Sequence, residues 1–377
     1  MRKPRIALFT GNYYHIRDGV SNTLNRLVVF LETQGYHIQV FGPWAPQPAF
    51  SPAGTFVPVY SIPFPGRSEY RIALCFPETE KQKLRDFNPD LIHIATPDIL
   101  GFAALLYGKK HGIPVVSSYH THFTSYLKYY HLGFLERLLW KYLSWFYRHC
   151  EHLYVPSRSM MEHLQNSGVK TKLKLWERGV DTGLFHPGQR DHSWRSYLGF
   201  NNDDIVVTFL SRLVWEKNLD IVAKTFTKLN ENSTSIRTLI VGDGPAREEL
   251  QRMMPNTVFT GHLEGDDVAR AYASSELFFF PSDTETFGNV TLEAMSCGLP
   301  IVAADAVGSR SLVTNDVNGF LAPALDVSTF IEYIRKIAEN RELKDRMASE
   351  SRIIAERYDW NRILENLTIY YQEIHIK

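Results

Sequence analysis

The sequence predicts an α/β protein built from two doubly wound, Rossmann-like domains. Short apolar runs alternate with amphipathic helical segments along the chain, which is the pattern of parallel sheets covered by helices. The chain opens on a strand over 5–10 and a helix over 20–34, and the same strand–turn–helix order begins again at Ile205. A length of 377 residues also exceeds what a single hydrophobic core normally supports.

The composition is that of an ordinary globular protein, with 44% hydrophobic and 22% charged residues. Basic and acidic residues balance at zero net charge, so composition gives no support for nucleic-acid binding. The three cysteines, Cys75, Cys150 and Cys297, lack metal-ligand spacing, and their small odd number suits a reducing cytoplasm. No apolar run approaches the roughly 20 residues of a membrane span, and the N-terminal run is too short for a signal peptide. We expect a cytoplasmic protein without a nucleic-acid partner.

The most informative stretch runs from a buried strand over 277–280 to a helix that ends at Gly298. Gly288, at the start of that helix, lets a ligand approach the backbone, and the first helical N–H groups point at that ligand. These features predict a diphosphate site. Glu285 and Glu293 flank it, and because a carboxylate repels phosphate, we expect both to bind hydroxyl groups. A phosphate cradle beside hydroxyl acceptors suits a nucleotide sugar. The alternative is a capped helix with two surface glutamates.

The residues of this stretch resemble a family signature. The pattern E-x-F-G-x-x-x-L-E-A-M-x-x-G-x-P, from Glu285 to Pro300, resembles the E-x7-E motif of retaining glycosyltransferases of family 4 with the GT-B architecture. The turn SRLVWEKN at 211–218 resembles the donor-phosphate pair of the same family, with Arg212 and Lys217 as its cations. The resemblance covers nearly the whole chain. It implies that the two domains face each other across a cleft.

The resemblance also implies roles for individual residues. Arg212 and Lys217 would stabilise the departing diphosphate, Glu285 would bind sugar hydroxyls, and Glu293 would hold the ribose diol. Glu293 is placed two turns along its helix, roughly 7 Å deeper at 1.5 Å per residue, which argues against an acid–nucleophile pair with Glu285. The donor-binding residues implied by matched positions are Gly19, Gly244, Leu263, Phe287, Gly288, Asn289, Val290 and Glu293.

The first loop of the chain, GNYYHIRDGVSN at 11–22, follows the opening strand. It lacks the G-x-G-x-x-G spacing of a nicotinamide site, so dinucleotide binding loses support. The loop resembles the N-terminal glycine loop of family 4, with Asp18 in place of the first glycine and Gly19 retained. We expect Asp18 on the acceptor side. The alternative is a turn residue or a helix cap.

The segment SYHTH at 118–122 spans the carboxyl end of a predicted strand over 114–119, and carboxyl ends of strands gather ligands in open α/β sheets. It resembles the segment in which the family places a histidine near the donor sugar, and the match assigns this position to His120. His122 would join it or face the acceptor. A metal site at this pair needs further ligands, and His131 has no acidic partner at metal spacing. We expect no metal and no cofactor.

Residues 126–149, YLKYYHLGFLERLLWKYLSWFYRH, form a predicted helix that is dense in aromatic side chains. The stretch between His120 and Cys150 carries four basic residues and one acidic residue. A basic, aromatic amphipathic helix can lie in a bilayer interface. The alternative is a core helix with solvated basic residues, and the sequence leaves both interpretations open.

The predicted boundaries follow from a segment at 178–187 that resembles the crossover between domains of the family. We assign 1–188 to an acceptor-side domain and 189–358 to a domain that binds the nucleotide sugar. A helix in 359–377 is expected to pack back on the first domain. Within the second domain, a short strand is expected between Gly308 and Val313.

These observations predict hexosyl transfer with retention, from a UDP- or GDP-linked sugar to an acceptor hydroxyl. The segments SYHTH and WERGVDTGLFHP and the aromatic helix most resemble sulfoquinovosyltransferases and GDP-mannose-dependent mannosyltransferases that act on glycolipids. The resemblance implies a diacylglycerol-type lipid or glycolipid acceptor, contact with the inner face of the membrane, and a donor phosphate oxygen that takes the acceptor proton. The alternatives are transfer to a soluble sugar or sugar phosphate, a GT-B nucleotide-sugar epimerase, and a non-catalytic binding subunit.

Overall fold

The structure, a computed structural model, contains two parallel β-sheets covered by helices, which confirms the predicted α/β class. The residues that it describes are 3–16, 18–64, 67–121, 133–232 and 235–374. The chain forms two compact units, each built around one of the sheets. Among the helices of the described ranges, none is both long and apolar enough to cross a bilayer.

A seven-stranded parallel sheet organises the first unit. The strands of this unit are β1 (Arg5–Phe9), β2 (His37–Pro43), β3 (Thr55–Val59), β4 (Ser61–Phe64), β5 (Arg67–Ala73), β6 (Leu91–Ile94), β7 (Val115–Ser118), β8 (His152–Val155) and β9 (Lys172–Leu175). The sheet order is β3-β2-β1-β6-β7-β8-β9, and β4 with β5 forms a separate antiparallel hairpin. The order reverses between β1 and β6, which makes their carboxyl ends the switch point where open α/β sheets bind ligands.

Besides the last helix of the chain, five helices of the described residues belong to the first unit. They are α1 (Gly19–Thr33), α2 (Glu78–Phe87), α3 (Ile99–His111), α4 (Glu136–Tyr147) and α5 (Arg158–Asn166). In α1, the buried residues Leu24, Leu27, Val28 and Leu31 follow the i, i+3, i+4, i+7 spacing of one helical face. The predicted amphipathic helix over 20–34 is therefore confirmed to within one residue at each end.

The second unit repeats this architecture around a six-stranded sheet. Its strands are β10 (Ile205–Leu210), β11 (Ile236–Val241), β12 (Val258–Gly261), β13 (Leu277–Phe280), β14 (Ile301–Ala304) and β15 (Gly319–Ala322). The later helices of the chain are α6 (His192–Tyr197), α7 (Leu219–Asn232), α8 (Arg247–Met253), α9 (Asp266–Ala273), α10 (Asn289–Ser296), α11 (Val327–Ala338), α12 (Arg341–Ala355) and α13 (Trp360–Gln372). The sheet order β12-β11-β10-β13-β14-β15 places the switch point between β10 and β13.

Strand β13 is buried on both faces, as its four consecutive apolar residues predict. The ring of Phe279 packs against Phe226 on one helix, with centroids 5.8 Å apart, and against Phe330 on another at 5.1 Å. Phe278 and Phe280 stack with centroids 5.7 Å apart. This packing fixes the end of β13, from which the polar turn of the candidate site begins.

The segment that joins the units packs on the second unit. The backbone N–H of Val180 donates to the carbonyl of Tyr358 at 3.0 Å, and Val180 belongs to the second hydrophobic core. Because of these contacts, the structure divides the chain after Glu177, whereas the sequence placed the boundary after residue 188. The residues from Asn361 onward belong to the first unit, which therefore includes most of α13.

The segment between Gly308 and Val313 differs from its prediction. It forms a single 3₁₀ turn at Ser309–Ser311 rather than a short strand. The backbone N–H of Leu312 bonds to the carbonyl of Ser309 at 3.0 Å, and that of Arg310 bonds to Ala306 at 3.0 Å. These local bonds satisfy the backbone, so the segment takes no place in the sheet ladder.

Candidate active site

The second unit gathers polar side chains at the carboxyl ends of β10 and β13. The turn over 211–218 follows β10, and the turn over 281–288 follows β13. Asn218, in the left-handed conformation (φ 56°), joins the two turns. Its side-chain amide donates to the Pro281 carbonyl at 2.9 Å and to a carboxylate oxygen of Asp283 at 3.2 Å. Both turns are therefore held at the switch point of the sheet.

Lys217 and Glu285 form an ion pair across these turns, in which Nζ of Lys217 donates to Oε1 of Glu285. Their side chains are 13% and 24% exposed, so the pair is partly shielded from water but reachable by a ligand. Arg212 lies 3.5 Å from the buried carboxylate of Glu216, and its own side chain is 37% exposed. Two cations, each positioned by a carboxylate, thus occupy one turn at the edge of the sheet.

Helix α10 begins beside this turn, and its N-cap residue, Gly288, has no side chain with which to cap the first N–H groups. Gly288 precedes the helix in the left-handed conformation (φ 100°), which a residue with a Cβ rarely adopts. Phe287 is buried and packs edge-to-face on Tyr358, with centroids 5.8 Å apart. Asn289 and Val290 are half-buried in the first turn of the helix. The predicted helix start at Gly288 is confirmed, and its first N–H groups are suited to an anion.

Glu293 lies nearer the helix start than the sequence suggested. It is the fifth residue of α10, just past one turn rather than the two turns predicted. The hydroxyl of the buried Tyr272 lies 3.4 Å from Oε2 of Glu293 and donates to it. Burial raises the pKa of Glu293 to about 7, against the opposing effect of this hydrogen bond. The carboxyl therefore changes its charge near neutral pH.

Glu285 rests against the backbone of Gly308. A Cβ at Gly308 would lie 2.7 Å from the Cβ of Glu285 and 2.8 Å from its carbonyl oxygen. Only glycine therefore permits the observed approach between the 3₁₀ turn and Glu285. Gly308 was not among the predicted site residues, since nothing in the local pattern links it to a residue on another turn.

The two remaining donor-side predictions in this unit lie after β11 and β12. Gly244 packs on the turn that carries Arg212, and a Cβ at Gly244 would lie 2.5 Å from the carbonyl oxygen of Leu213. Leu213 in turn receives a hydrogen bond from Ala246 and donates one to Asp243 at 2.8 Å. Leu263 is half-buried beside a small apolar cluster under the sheet edge.

In the first unit, Asp18 is the N-cap of α1, which is the alternative that the sequence analysis left open. Its carboxylate accepts from the backbone N–H of Ser21 at 2.7 Å and from the side-chain amide of Asn12 at 3.1 Å. Gly19 is the first residue of the helix. The loop after β1 reaches the turn after β6, where the N–H of Gly11 donates to Thr96 at 3.1 Å.

His120 follows β7 and is buried against Trp176, with ring centroids 5.3 Å apart. Its Nε2 lies 2.9 Å from the hydroxyl of Ser118. His122 and His131 lie outside the described residues. Within the described part of the chain, no group of three or more His, Cys, Asp or Glu side chains is arranged to hold a metal ion.

The aromatic helix is described from Gly133 onward and has two faces. Leu143, Phe146 and Tyr147 are buried, as the core interpretation expects. The opposite face exposes apolar residues, with Phe134 77% and Leu138 65% exposed. The basic residues on this exposed face are Arg137, Lys141 and Arg148. We call Phe134, Arg137, Leu138 and Lys141 the exposed stripe.

Two family descriptions match most of the chain between them. Residues 17–184 match Glycosyltransferase Family 4, and residues 191–353 match Glycosyl transferases group 1.

Curated relatives extend over nearly the full length. The chain is 32% identical over 371 residues to a sulfoquinovosyl transferase of Arabidopsis thaliana, covering 96% of this chain and 72% of that protein. It is 31% identical to a GDP-mannose-dependent alpha-mannosyltransferase of Corynebacterium glutamicum, over 90% of this chain and 81% of the relative. It is 26% identical to an alpha-monoglucosyldiacylglycerol synthase of Streptococcus pneumoniae, over 84% of this chain and 75% of the relative.

Among solved structures, a sucrose-phosphate synthase from Thermosynechococcus elongatus matches the fold with a TM-score of 0.82 at 18% identity, over 98% of this chain and 99% of that chain. The fold and the sequence relatives agree with the predicted family. The chain belongs to the GT-B glycosyltransferases of family 4.

Proposed function

We propose that the protein transfers a hexosyl group from a UDP- or GDP-linked sugar to the hydroxyl of a lipid acceptor, with retention of the anomeric configuration. The observation that carries this proposal is the Lys217–Glu285 ion pair beside the uncapped start of α10. A cation, a carboxylate and helical N–H groups at one switch point suit a diphosphate bonded to a sugar.

Departure of the nucleoside diphosphate needs the most stabilisation, because negative charge grows on the phosphate as the glycosidic bond breaks. Arg212, Lys217 and the N–H groups at 287–289 supply positive charge there. Glu216 and Glu285 position the two cations before the reaction, so little reorganisation is needed. We therefore propose a metal-independent reaction that retains its rate in EDTA.

The two glutamates have separate tasks in this proposal. Glu285, held by Lys217 and supported by Gly308, accepts hydrogen bonds from hydroxyls of the transferred sugar and orients its ring. Glu293 accepts hydrogen bonds from the ribose diol while Tyr272 holds its other oxygen. Because its pKa is about 7, donor affinity should weaken as the pH falls below that value.

In a single displacement without a covalent intermediate, retention requires that the acceptor attack from the face that the diphosphate leaves. In this scheme a donor phosphate oxygen takes the acceptor proton as the new C–O bond forms and the old one breaks. We assign to His120 a contact with the transferred sugar. Asp18 shapes the acceptor-side loop by capping α1, and His122 follows His120 by two residues in the sequence.

A lipid acceptor is supported by the exposed stripe. Apolar and basic side chains alternate there on the solvent-facing side of one helix, which suits an interface with anionic headgroups. The diacylglycerol in the name of the streptococcal relative points to the same acceptor class. We therefore propose contact with the inner face of the membrane through this helix.

A transfer assay tests the proposal. A panel of labelled UDP- and GDP-sugars is incubated with vesicles that contain diacylglycerol or glycolipid and, separately, with soluble sugars and sugar phosphates. We expect label in the lipid phase from one donor only, and NMR of the product should show the anomeric configuration of the donor. Product on soluble acceptors alone would contradict the lipid assignment. Epimerised donor without transfer, or donor binding without turnover, would contradict the transferase assignment.

A further inference from the structure

A continuous hydrogen-bond chain crosses the core of the first unit and ends at His120. The hydroxyl of Tyr371 on α13 lies 2.7 Å from Nδ1 of His93 on β6. Nε2 of His93 lies 2.9 Å from Oγ of Ser118 at the end of β7, and this Oγ lies 2.9 Å from Nε2 of His120. Tyr371, His93 and Ser118 are at most 1% exposed. We call these three residues the His120 relay.

The available acceptor atoms decide which group donates in each of these hydrogen bonds. Among the described residues, the Tyr371 hydroxyl has His93 as its one hydrogen-bond partner, so its buried proton is bonded only if it donates to Nδ1. Burial lowers the pKa of His93 to about 3, so the ring is neutral and carries its single proton on Nε2. That N–H donates to Ser118, and the Ser118 hydroxyl then donates to Nε2 of His120.

We propose that the relay residues Tyr371, His93 and Ser118 are positioning residues that hold His120 in the tautomer with its proton on Nδ1. A hydrogen bond to one ring nitrogen fixes the state of the other. With Nε2 accepting from Ser118, the single proton of a neutral His120 lies on Nδ1. The opposite tautomer leaves one buried proton unpaired among the described residues: that of Ser118, if its Oγ accepts from both rings, or that of Tyr371, if the whole chain reverses. The kinetic consequence rests on the proposed role of His120 toward the donor sugar.

Contacts with β8 and β9 hold α13 beside the His120 relay. Glu373 forms an ion pair with Lys174 of β9 at 2.6 Å, and the Lys174 ammonium lies over the ring of Tyr370 at 4.6 Å. Tyr370 also stacks on Tyr154 of β8, with centroids 6.2 Å apart. These contacts fix the position of α13, so that Tyr371 reaches the middle of the sheet. The C-terminal helix thus supplies the first donor of the chain that ends at His120.

Two variants break the relay, and the chain offers a matched control for each. Ser118→Ala removes the last link, and Tyr371→Phe removes the first donor while keeping the ring. Ser117→Ala removes a neighbouring buried hydroxyl that donates to the Ile94 carbonyl at 2.8 Å. Tyr154→Phe removes a hydroxyl that has no hydrogen-bond partner among the described residues and lies in the same aromatic cluster.

The measurement is the tautomeric state of His120 near neutral pH, read from long-range ¹H–¹⁵N NMR correlations of the imidazole. The variant His120→Asn assigns these signals among the 14 histidines. We expect protonated Nδ1 and unprotonated Nε2 in the wild type and both controls. Ser118→Ala and Tyr371→Phe should show a mixture with substantial protonation at Nε2. An unchanged tautomer in both relay variants, at wild-type Tm, would overturn the proposal.

Kinetics separates the relay from the proposed chemistry. Ser118→Ala and Tyr371→Phe should lower kcat by about tenfold while the donor KM stays within about twofold. The reason is that the relay residues set the orientation and tautomer of His120 and do not themselves bind the donor. The two controls should keep the wild-type kcat. Absence of transfer by the wild type would contradict the proposed function, and the NMR result would still decide the relay. An unchanged kcat with an altered tautomer would overturn the kinetic part.

Discussion

The ammonium group of Lys217 and the carboxylate of Glu285 meet across the two turns that follow β10 and β13. Neither side chain is fully exposed, so the pair is less screened than a surface ion pair. Each residue limits the positions open to the other. In the proposed reaction this links stabilisation of the diphosphate with orientation of the sugar.

Replacing Lys217 by methionine removes this charge and keeps most of the side-chain volume. We expect kcat/KM for the nucleotide sugar to fall about 10²-fold or more, the usual effect of losing one group that stabilises developing charge. Steady-state kinetics with the donor found in the transfer assay measures the loss. Lys224→Met is the control, because Lys224 forms an exposed ion pair with Asp220 at 3.3 Å on α7. If the two variants lose activity equally, Lys217 has no special role.

Gly308 supports Glu285 through close backbone contact. In Gly308→Ala the new Cβ would lie 2.7 Å from the Cβ of Glu285, so Glu285 must shift. We expect kcat/KM to fall roughly 10²-fold, as small displacements of a reacting group can cause. Gly183→Ala is the control, since a Cβ there would meet only a carboxylate oxygen of Asp181 at 3.4 Å. Equal kinetics in Gly308→Ala and the wild type would contradict the supporting role.

The raised pKa of Glu293 predicts that the free energy of unfolding falls as the pH rises toward and above neutral. Its carboxyl releases its proton near pH 4.5 in the unfolded chain but near 7 in the folded protein, because burial disfavours the charge. The folded state therefore binds more protons between these values. The stability contributed by the protonated form is complete below about pH 4.5 and is lost as the pH rises through about 7.

Glu293→Gln keeps the shape of the side chain and removes its titration. Thermal unfolding should give a higher Tm than the wild type at pH values above about 7 and little difference at pH values near 4.5. In Glu293→Gln, donor affinity should no longer weaken as the pH falls below about 7. A Tm difference independent of pH would contradict the raised pKa of Glu293.

The exposed stripe predicts membrane contact. The double variant Phe134→Ser and Leu138→Ser removes apolar side chains that are 77% and 65% exposed, so the fold should keep its stability. We expect flotation with anionic vesicles to fall several-fold, because less apolar area enters the interface. Tyr197→Ser, at an exposed aromatic residue of the second unit, should float like the wild type. Equal flotation of all three proteins would contradict membrane contact through the exposed stripe.

Much of the fold and part of the site could be predicted because their signals are local. The run over 277–280 has no polar residue, so only a strand buried on both faces fits it. Gly288 marks a helix start that requires a positive φ, and this conformation is observed. Lys217 and Glu285 matched a motif, although the sequence did not show that they contact each other.

The features that escaped prediction depend on residues far apart in the chain. Gly308 meets Glu285 across two turns, and Tyr371 meets His93 across 278 residues. No periodicity encodes such contacts, because they depend on how strands and helices pack. The number of turns before Glu293 was wrong: with the helix start at Gly288, as predicted, Glu293 is only the fifth helical residue, just past one turn.

The most direct test of the donor site is calorimetric titration of the wild type and Lys217→Met with UDP, GDP, uridine and guanosine. We expect one diphosphate to bind the wild type at least about 10²-fold more tightly than its nucleoside. Most of this difference should disappear in Lys217→Met, because charge-assisted hydrogen bonds to the phosphates are lost. Equal binding of nucleoside and diphosphate by the wild type, or an unchanged difference in the variant, would contradict the proposed donor site.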